Sequence, residues 1–111
     1  MPPDFRKPMI ENLNFITFNQ AISKGIVLVD YWAQWCAPCL AQNPVLEEIA
    51  DEVKNIALVA KVDIADNRVI ADQQKVKNIP TLILYKDGKE IQRFSGIQSK
   101  EIIINSIQNN K

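Results

Sequence analysis

Cys36 and Cys39 are the residues of this sequence best suited to covalent chemistry, and only two residues separate them. A disulfide between them would close a very small loop. Because the entropic stabilisation by a disulfide grows with the length of the loop, this bridge would contribute little to holding a fold together. We therefore interpret the pair as reactive, able to exchange disulfides through a thiolate.

Metal binding is the main alternative for cysteines at this spacing. A structural zinc site generally needs four ligands, supplied by a second cysteine pair or by histidines. The chain has 2 cysteines and no histidine, so we expect no metal site. The lack of histidine also excludes Cys-His proteases and hydrolases that use an imidazole base.

The overall composition indicates one domain that does not bind charged polymers. The chain has 111 residues, of which 47% are hydrophobic, and this suits a single ordinary core. Its 13 basic residues balance 13 acidic ones, so we expect no binding to nucleic acid or to an anionic membrane. No apolar run is long enough to span a bilayer, and the N-terminus carries no signal-like apolar segment. We therefore expect a soluble, cytoplasmic protein.

The cysteines lie between a predicted strand and a predicted helix. The run Ile26–Tyr31 is apolar except for Asp30, which is typical of a central strand buried on both faces. Residues Leu40–Lys54 carry apolar residues at helical spacing around Pro44, so we predict one long kinked helix.

This arrangement favours Cys36 as the reactive thiol. It lies near the helix N-terminus, where free backbone N–H groups and the helix dipole stabilise a thiolate. Cys39 follows about one turn later, so its sulfur can reach that of Cys36. A buried structural thiol is the alternative for Cys36.

The rest of the chain alternates between strands and helices in the order β-α-β-α-β-α-β-β-α, which implies a mixed central sheet with helices on both faces. We expect residues 1–8 to be a flexible lead-in and residues 9–111 a single domain. The N-terminal predictions are a strand over Met9–Leu13 and a helix over Asn14–Lys24, which has Phe15, Phe18, Ala21 and Ile22 at helical spacing and ends at Gly25. The next predictions are a strand over Ile56–Asp63 and a helix over Asp66–Lys75, which has Val69, Ile70 and Gln73 at helical spacing. Thr81–Tyr85 and Glu90–Phe94 are predicted to form a hairpin. A final helix is predicted to begin after the N-cap Ser99, with Glu101 in its first turn and Ile103, Ile104 and Ile107 on its inner face.

The stretch from Val27 to Cys39, VLVDYWAQWCAPC, resembles the active-site sequence of the thioredoxin family. The resemblance runs from about Phe18 to the C-terminus. It implies the α/β thioredoxin fold, a single domain with a mixed central sheet flanked by helices on both faces, and disulfide exchange resolved by Cys39. Further matches are Pro44 in the second helix, Val59–Asp63 as a strand, the loop Ile79-Pro80-Thr81, the turn Lys86-Asp87-Gly88, and Gly96.

The resemblance also implies residues for proton transfer. Asp30 ends the apolar run and is expected to be buried, and burial raises the pKa of a carboxyl towards the range useful in proton transfer. By resemblance, Asp30 serves Cys39 as a general base and the nearby Lys61 tunes it. The alternatives are an acid that caps a turn and a solvated surface lysine.

A substrate surface follows from the same resemblance. It implies a cis bond between Ile79 and Pro80, although a trans bond is the rule for an arbitrary proline. The backbone of Ile79 would then be free to pair with an extended substrate segment beside Cys36. The flat apolar patch around Cys36 is expected to consist of Trp35, Ala37, Pro38, Gly96 and Ile97, with Trp32 packing as support.

Three residues depart from the usual family pattern: Ala37 replaces a glycine between the cysteines, Leu40 a basic residue, and Asn78 a glycine or serine. These changes leave the redox potential and the choice of partners open, but not the reaction class. The resemblance implies a monomeric protein-disulfide reductase without a bound cofactor, which donates electrons to disulfide-containing proteins and is recharged by thioredoxin reductase. The alternatives are an oxidant or isomerase on the same fold, and a non-catalytic interaction module.

Overall fold

A five-stranded mixed sheet forms the centre of the computed structural model, which describes residues 10–111. The predicted lead-in over residues 1–8, and Met9 in the predicted first strand, lie outside the described residues. The predicted order of strands and helices is confirmed. The strands are β1 (Glu11–Asn12), β2 (Ile26–Trp32), β3 (Ala57–Asp63), β4 (Thr81–Lys86) and β5 (Lys89–Ser95), and the helices are α1 (Phe18–Ile22), α2 (Ala37–Val53), α3 (Arg68–Gln73) and α4 (Lys100–Asn109).

Strand β2 lies in the middle of the sheet, whose order is β1-β3-β2-β4-β5. It pairs in parallel with β3 and antiparallel with β4. The strand is buried from Ile26 to Tyr31, because it is apolar almost throughout and helices cover both of its faces. The predicted hairpin is formed by β4 and β5, with Asp87 and Gly88 at φ angles of 52° and 87° in the turn.

The core has one layer on each face of the sheet. Successive residues of a strand point to opposite faces, so Leu28 packs in the layer formed with α2 and α4, and Val29 in the layer formed with α1 and α3. The predicted α/β architecture with helices on both faces is therefore confirmed. Among residues 10–111, no helix is long and apolar enough to cross a membrane.

Two buried tyrosines from neighbouring strands meet in the layer under α1 and α3. The hydroxyl oxygens of Tyr31 and Tyr85 lie 2.6 Å apart. Tyr85 donates its only hydroxyl proton to Oε1 of Gln74 at 2.9 Å, so Tyr31 donates to Tyr85. Burial raises the pKa of Tyr85 to about 12, and this hydroxyl therefore stays protonated at neutral pH.

The first helix is shorter than its sequence pattern predicts. The pattern begins at Asn14, whereas α1 begins at Phe18. The side-chain oxygen of Asn14 accepts hydrogen bonds from the backbone N–H groups of Ile16 and Thr17 at 2.9 and 3.0 Å, and this local turn competes with the helix. Phe15, which the pattern places in the apolar stripe, is 63% exposed.

Helix α3 also covers less than the predicted Asp66–Lys75. It spans Arg68–Gln73, and its buried residues are Ile70 and Ala71. Val69, which the spacing places with Ile70, is 52% exposed. A six-residue helix presents a narrow buried side, and Val69 lies outside it.

Candidate active site

The two cysteines lie where β2 gives way to α2. Cys36 is the N-cap of α2, and Cys39 lies in the first turn of that helix. The two are joined by a disulfide, with their Cα atoms 5.2 Å apart. The backbone N–H of Cys39 donates to Sγ of Cys36 at 3.3 Å. The position at a helix N-terminus that the sequence predicts is confirmed for Cys36, and such a position favours negative charge on sulfur.

The two cysteine residues differ in their exposure to solvent. Cys36 is 6% exposed, whereas Cys39 is completely buried. Ala33 forms a buried cluster with the two cysteines, and the partly buried Trp32 packs against this cluster, which agrees with the supporting position expected for Trp32. Any partner approaching from solvent therefore meets Cys36 first.

A loop that lies 43 residues further along the chain comes next to Cys36. The carbonyl oxygen of Ile79 lies 4.0 Å from Sγ of Cys36. The peptide bond between Ile79 and Pro80 is cis, as the family resemblance implies. The backbone N–H of Gly96 donates to the carbonyl oxygen of Pro80 at 2.8 Å. The fold thus brings residues 79, 80 and 96 to the same end of the sheet as the disulfide.

Exposed apolar side chains surround this end of the sheet. Trp35 is 73% exposed and Ile97 is 54% exposed. Trp35 and Ile79 also line a groove of about 460 Å³. The remaining members of the expected patch, Ala37, Pro38 and Gly96, are exposed as well.

Asp30 is a completely buried acid on the face of β2 that α2 covers. It lies two residues after Leu28 in the strand and therefore points to the same face. Neither carboxyl oxygen has a hydrogen-bond partner within residues 10–111. Loss of hydration raises the pKa of Asp30 to about 7, although the positive charge of Lys61 opposes the rise. The expectation that Asp30 is buried is confirmed.

Lys61 lies opposite Asp30 in the sheet, because the two residues are register partners in the parallel pair of β2 and β3. Its Nζ donates to Oδ1 of Asn43 at 2.8 Å and lies 4.0 Å from the ring centroid of Trp32. A cation over an indole face is attracted by the ring electrons. The lysine is therefore held in place at the site.

Comparison with known proteins identifies the family of this chain. The sequence model described as Thioredoxin matches residues 9–109. The chain belongs to the thioredoxin family. Thioredoxins are thiol-disulfide oxidoreductases, and the redox group of this member is the pair Cys36 and Cys39.

Individual thioredoxins match most of the chain. The thioredoxin of Chlamydia caviae is 43% identical over 99 residues, which cover 89% of this chain and 96% of that protein. A Staphylococcus aureus thioredoxin is 42% identical over 84 residues, covering 76% and 81%. Among solved structures, a mutant thioredoxin from Halobacterium salinarum has a TM-score of 0.82 at 28% identity, covering 98% of this chain and 95% of that one. The thioredoxin of Malassezia sympodialis has a TM-score of 0.85 at 25% identity, covering 93% and 91%.

Two polar residues of this thioredoxin site were not found by sequence reasoning. They are Asn43, which binds Lys61, and Gln42, which is completely buried. Gln42 lies four residues before the buried Leu46 and seven before the buried Ile49. This spacing places it in the apolar stripe of α2 and is the signal that could have found it.

Among residues 10–111, acidic and cysteine side chains form no group of three or more that could hold a metal ion.

Proposed function

We propose that the chain reduces disulfides in other proteins, with Cys36 as the attacking thiolate and Cys39 as the resolving thiol. The observation that carries this proposal is the contrast between Cys36, which is 6% exposed at the N-cap of α2, and Cys39, which is completely buried. A thiolate at a helix N-terminus is stabilised by free N–H groups and by the helix dipole. The N–H of Cys39 already points at Sγ of Cys36 and would stabilise a negative charge there.

The reduced pair acts in two exchanges. The Cys36 thiolate attacks one sulfur of the substrate disulfide, forms a mixed disulfide and releases the other sulfur as a thiolate. Cys39 then loses its proton and attacks Sγ of Cys36, which breaks the mixed disulfide and releases the second substrate sulfur. Two electrons pass to the substrate, and the disulfide between Cys36 and Cys39 forms again.

Asp30 is the base that takes the proton from Cys39 in this proposal. A general base works best when its pKa lies near the working pH, and the pKa of about 7 at Asp30 supports this role. Lys61 favours the ionised carboxyl by its charge. Because Asn43 and Trp32 hold Lys61, that charge acts from a fixed position.

Substrates bind across the exposed surface around Cys36. The backbone of Ile79, next to Sγ of Cys36, would pair with an extended segment that carries the target disulfide. The exposed Trp35 and Ile97 would cover the apolar parts of that segment. The other residues assigned to this surface are Ala37, Pro38, Pro80 and Gly96.

The reducing direction needs an electron donor that returns the pair to the dithiol. The thioredoxin family suggests a thioredoxin reductase for this task. Reduction of protein disulfides suits a compartment in which thiols are kept reduced, so we propose that the chain works in the cytoplasm. We also propose that it works as a monomer.

Trapping of the mixed disulfide tests this proposal. A pre-reduced Cys39→Ser variant mixed with insulin should accumulate an adduct on Cys36, because the resolving thiol has been removed. Dithiothreitol should release the adduct, and a Cys36→Ser variant is the matched control that should form none. The parent should reduce insulin with dithiothreitol as donor. Adducts on the Cys36→Ser variant, or none on the Cys39→Ser variant, would contradict the assignment.

A further inference from the structure

Gln42 is a buried polar residue that neither sulfur exchange uses. Its amide makes two hydrogen bonds to the main chain of Gln98: Nε2 donates to the carbonyl oxygen at 3.1 Å, and Oε1 accepts from the N–H at 2.8 Å. A buried amide is costly unless its polar atoms are paired. In α2 an apolar residue would fill the same place without that requirement. The two bonds therefore tie the first turns of α2 to a loop 56 residues away.

The loop tied in this way belongs to the surface next to the disulfide. Gln98 directly follows Gly96 and the exposed Ile97. The side chain of Gln98 turns back and donates from Nε2 to the carbonyl oxygens of Ser95 and Gly96 at 3.1 and 3.4 Å. The segment 95–98 is thus folded on itself, and Gln42 holds it from the inside.

A closed ring of contacts results around the sulfurs. The N–H of Gly96 binds the carbonyl oxygen of Pro80, and the preceding residue, Ile79, lies next to Cys36. Cys36 caps the helix that carries Gln42. Three parts of the chain are therefore linked to one another beside the reactive sulfur: helix α2, the loop at residues 79–80 and the segment 95–98.

We propose that Gln42 is a positioning residue for protein substrates, which fixes the segment 95–98, including the exposed Ile97, beside the loop that lies next to Cys36. This inference rests on the proposed reduction of protein disulfides. In that proposal a protein substrate covers Ile97, whereas a small disulfide needs only access to the sulfur. Loss of the two bonds should therefore weaken the use of protein substrates and spare small ones.

The comparison of Gln42→Met with the parent tests the inference. Methionine keeps the length of the side chain and removes both hydrogen bonds. With dithiothreitol as donor, KM for insulin should rise about tenfold, because two hydrogen bonds that position the segment are lost, while kcat stays within about twofold. The rate constant of the reduced protein with hydroxyethyl disulfide should stay within about twofold of the parent value. Hydrogen exchange at the backbone N–H of Gln98 should become faster.

Ile49→Val is the matched control, because Ile49 is buried in the same helix and its apolar side chain makes no hydrogen bond. It should leave KM for insulin unchanged. If Gln42→Met does not fold, Gln42→Leu, which also removes both hydrogen bonds and keeps an apolar side chain at this buried position, goes through the same assays and should raise KM for insulin in the same way.

Three results would overturn the inference: an unchanged KM for insulin, an equal loss of rate with insulin and with hydroxyethyl disulfide, or an equal rise of KM in the Ile49→Val control. The first result would show that the binding of protein substrates does not depend on the hydrogen bonds between Gln42 and Gln98. The second and third would show that Gln42 acts through the redox pair or through stability. A parent that reduces hydroxyethyl disulfide but not insulin would instead refute the proposed function itself, and this inference with it.

Discussion

Replacement of Asp30 by asparagine should stabilise the protein at high pH and leave its stability unchanged at low pH. The carboxyl is completely buried, and its oxygens have no hydrogen-bond partner within residues 10–111. Asparagine has nearly the same shape and carries no charge to desolvate. The variant thus isolates the cost of one buried negative charge.

The size of the effect follows from the pKa of Asp30, which burial raises from its ordinary value of 3.8 to about 7. Each whole pKa unit is worth about 1.4 kcal/mol, so the ionised carboxyl costs the folded state about 4 kcal/mol relative to the neutral one. Because the folded state holds this proton more tightly than the unfolded state, the parent loses stability as the pH rises from about 4 to about 7. Asp30→Asn lacks this loss.

Urea unfolding of the oxidised parent and the oxidised variant between pH 4 and 9 measures the difference. The free energy of unfolding of the variant minus that of the parent should be near zero at pH 4, rise through neutral pH and level off above about 7. The contributions of the other ionisable groups are the same in both proteins and cancel in this difference. The variant should also resolve mixed disulfides more slowly, by about tenfold or more, because the general base has been removed.

A flat difference across this pH range would refute the assignment of a buried, proton-exchanging carboxyl. A variant that is less stable at every pH and resolves mixed disulfides at the parent rate would show instead that Asp30 is a structural acid.

Two further predictions concern the cysteines and the residue between them. In the reduced protein at neutral pH, iodoacetamide should alkylate Cys36 well before Cys39, as mapped by mass spectrometry, and equal labelling would exclude a selectively activated thiol. Ala37→Gly should change the reduction potential by no more than about 30 mV, equivalent to about 1.4 kcal/mol for a two-electron couple, because no charge is altered. Ala37→His should raise the potential by more, because it adds a cation beside the thiolate. Equilibration with glutathione measures both values, and the opposite order would show that backbone strain outweighs charge.

The centre of the fold and the redox pair could be predicted because their signals are local. The apolar run that forms β2 needs no other part of the chain to be recognised. The Asp87-Gly88 turn is likewise contained in a few residues. The burial of Asp30 also follows from its place within an apolar run.

The parts that sequence reasoning missed depend on distant contacts or on competing local bonds. Gln42 has its partner at Gln98, 56 residues away, and a polar residue on a helix is ordinarily expected to face solvent. The start of α1 is set by the side chain of Asn14, which binds the backbone of the following residues. Hydrophobic spacing places Gln42 on the buried side of α2 but does not reveal its partner, and it does not register the local bonds of Asn14, so the predicted first helix was extended too far.

The hydrogen bond between Tyr31 and Tyr85 couples the evolution of these two positions. Removing the hydroxyl of Tyr85 alone would leave that of Tyr31 buried without this partner, whereas replacing both by phenylalanine removes donor and acceptor together. A lineage that changed position 85 first would therefore cross a less stable intermediate. Across homologues, a tyrosine at position 31 is expected to occur together with a tyrosine at position 85.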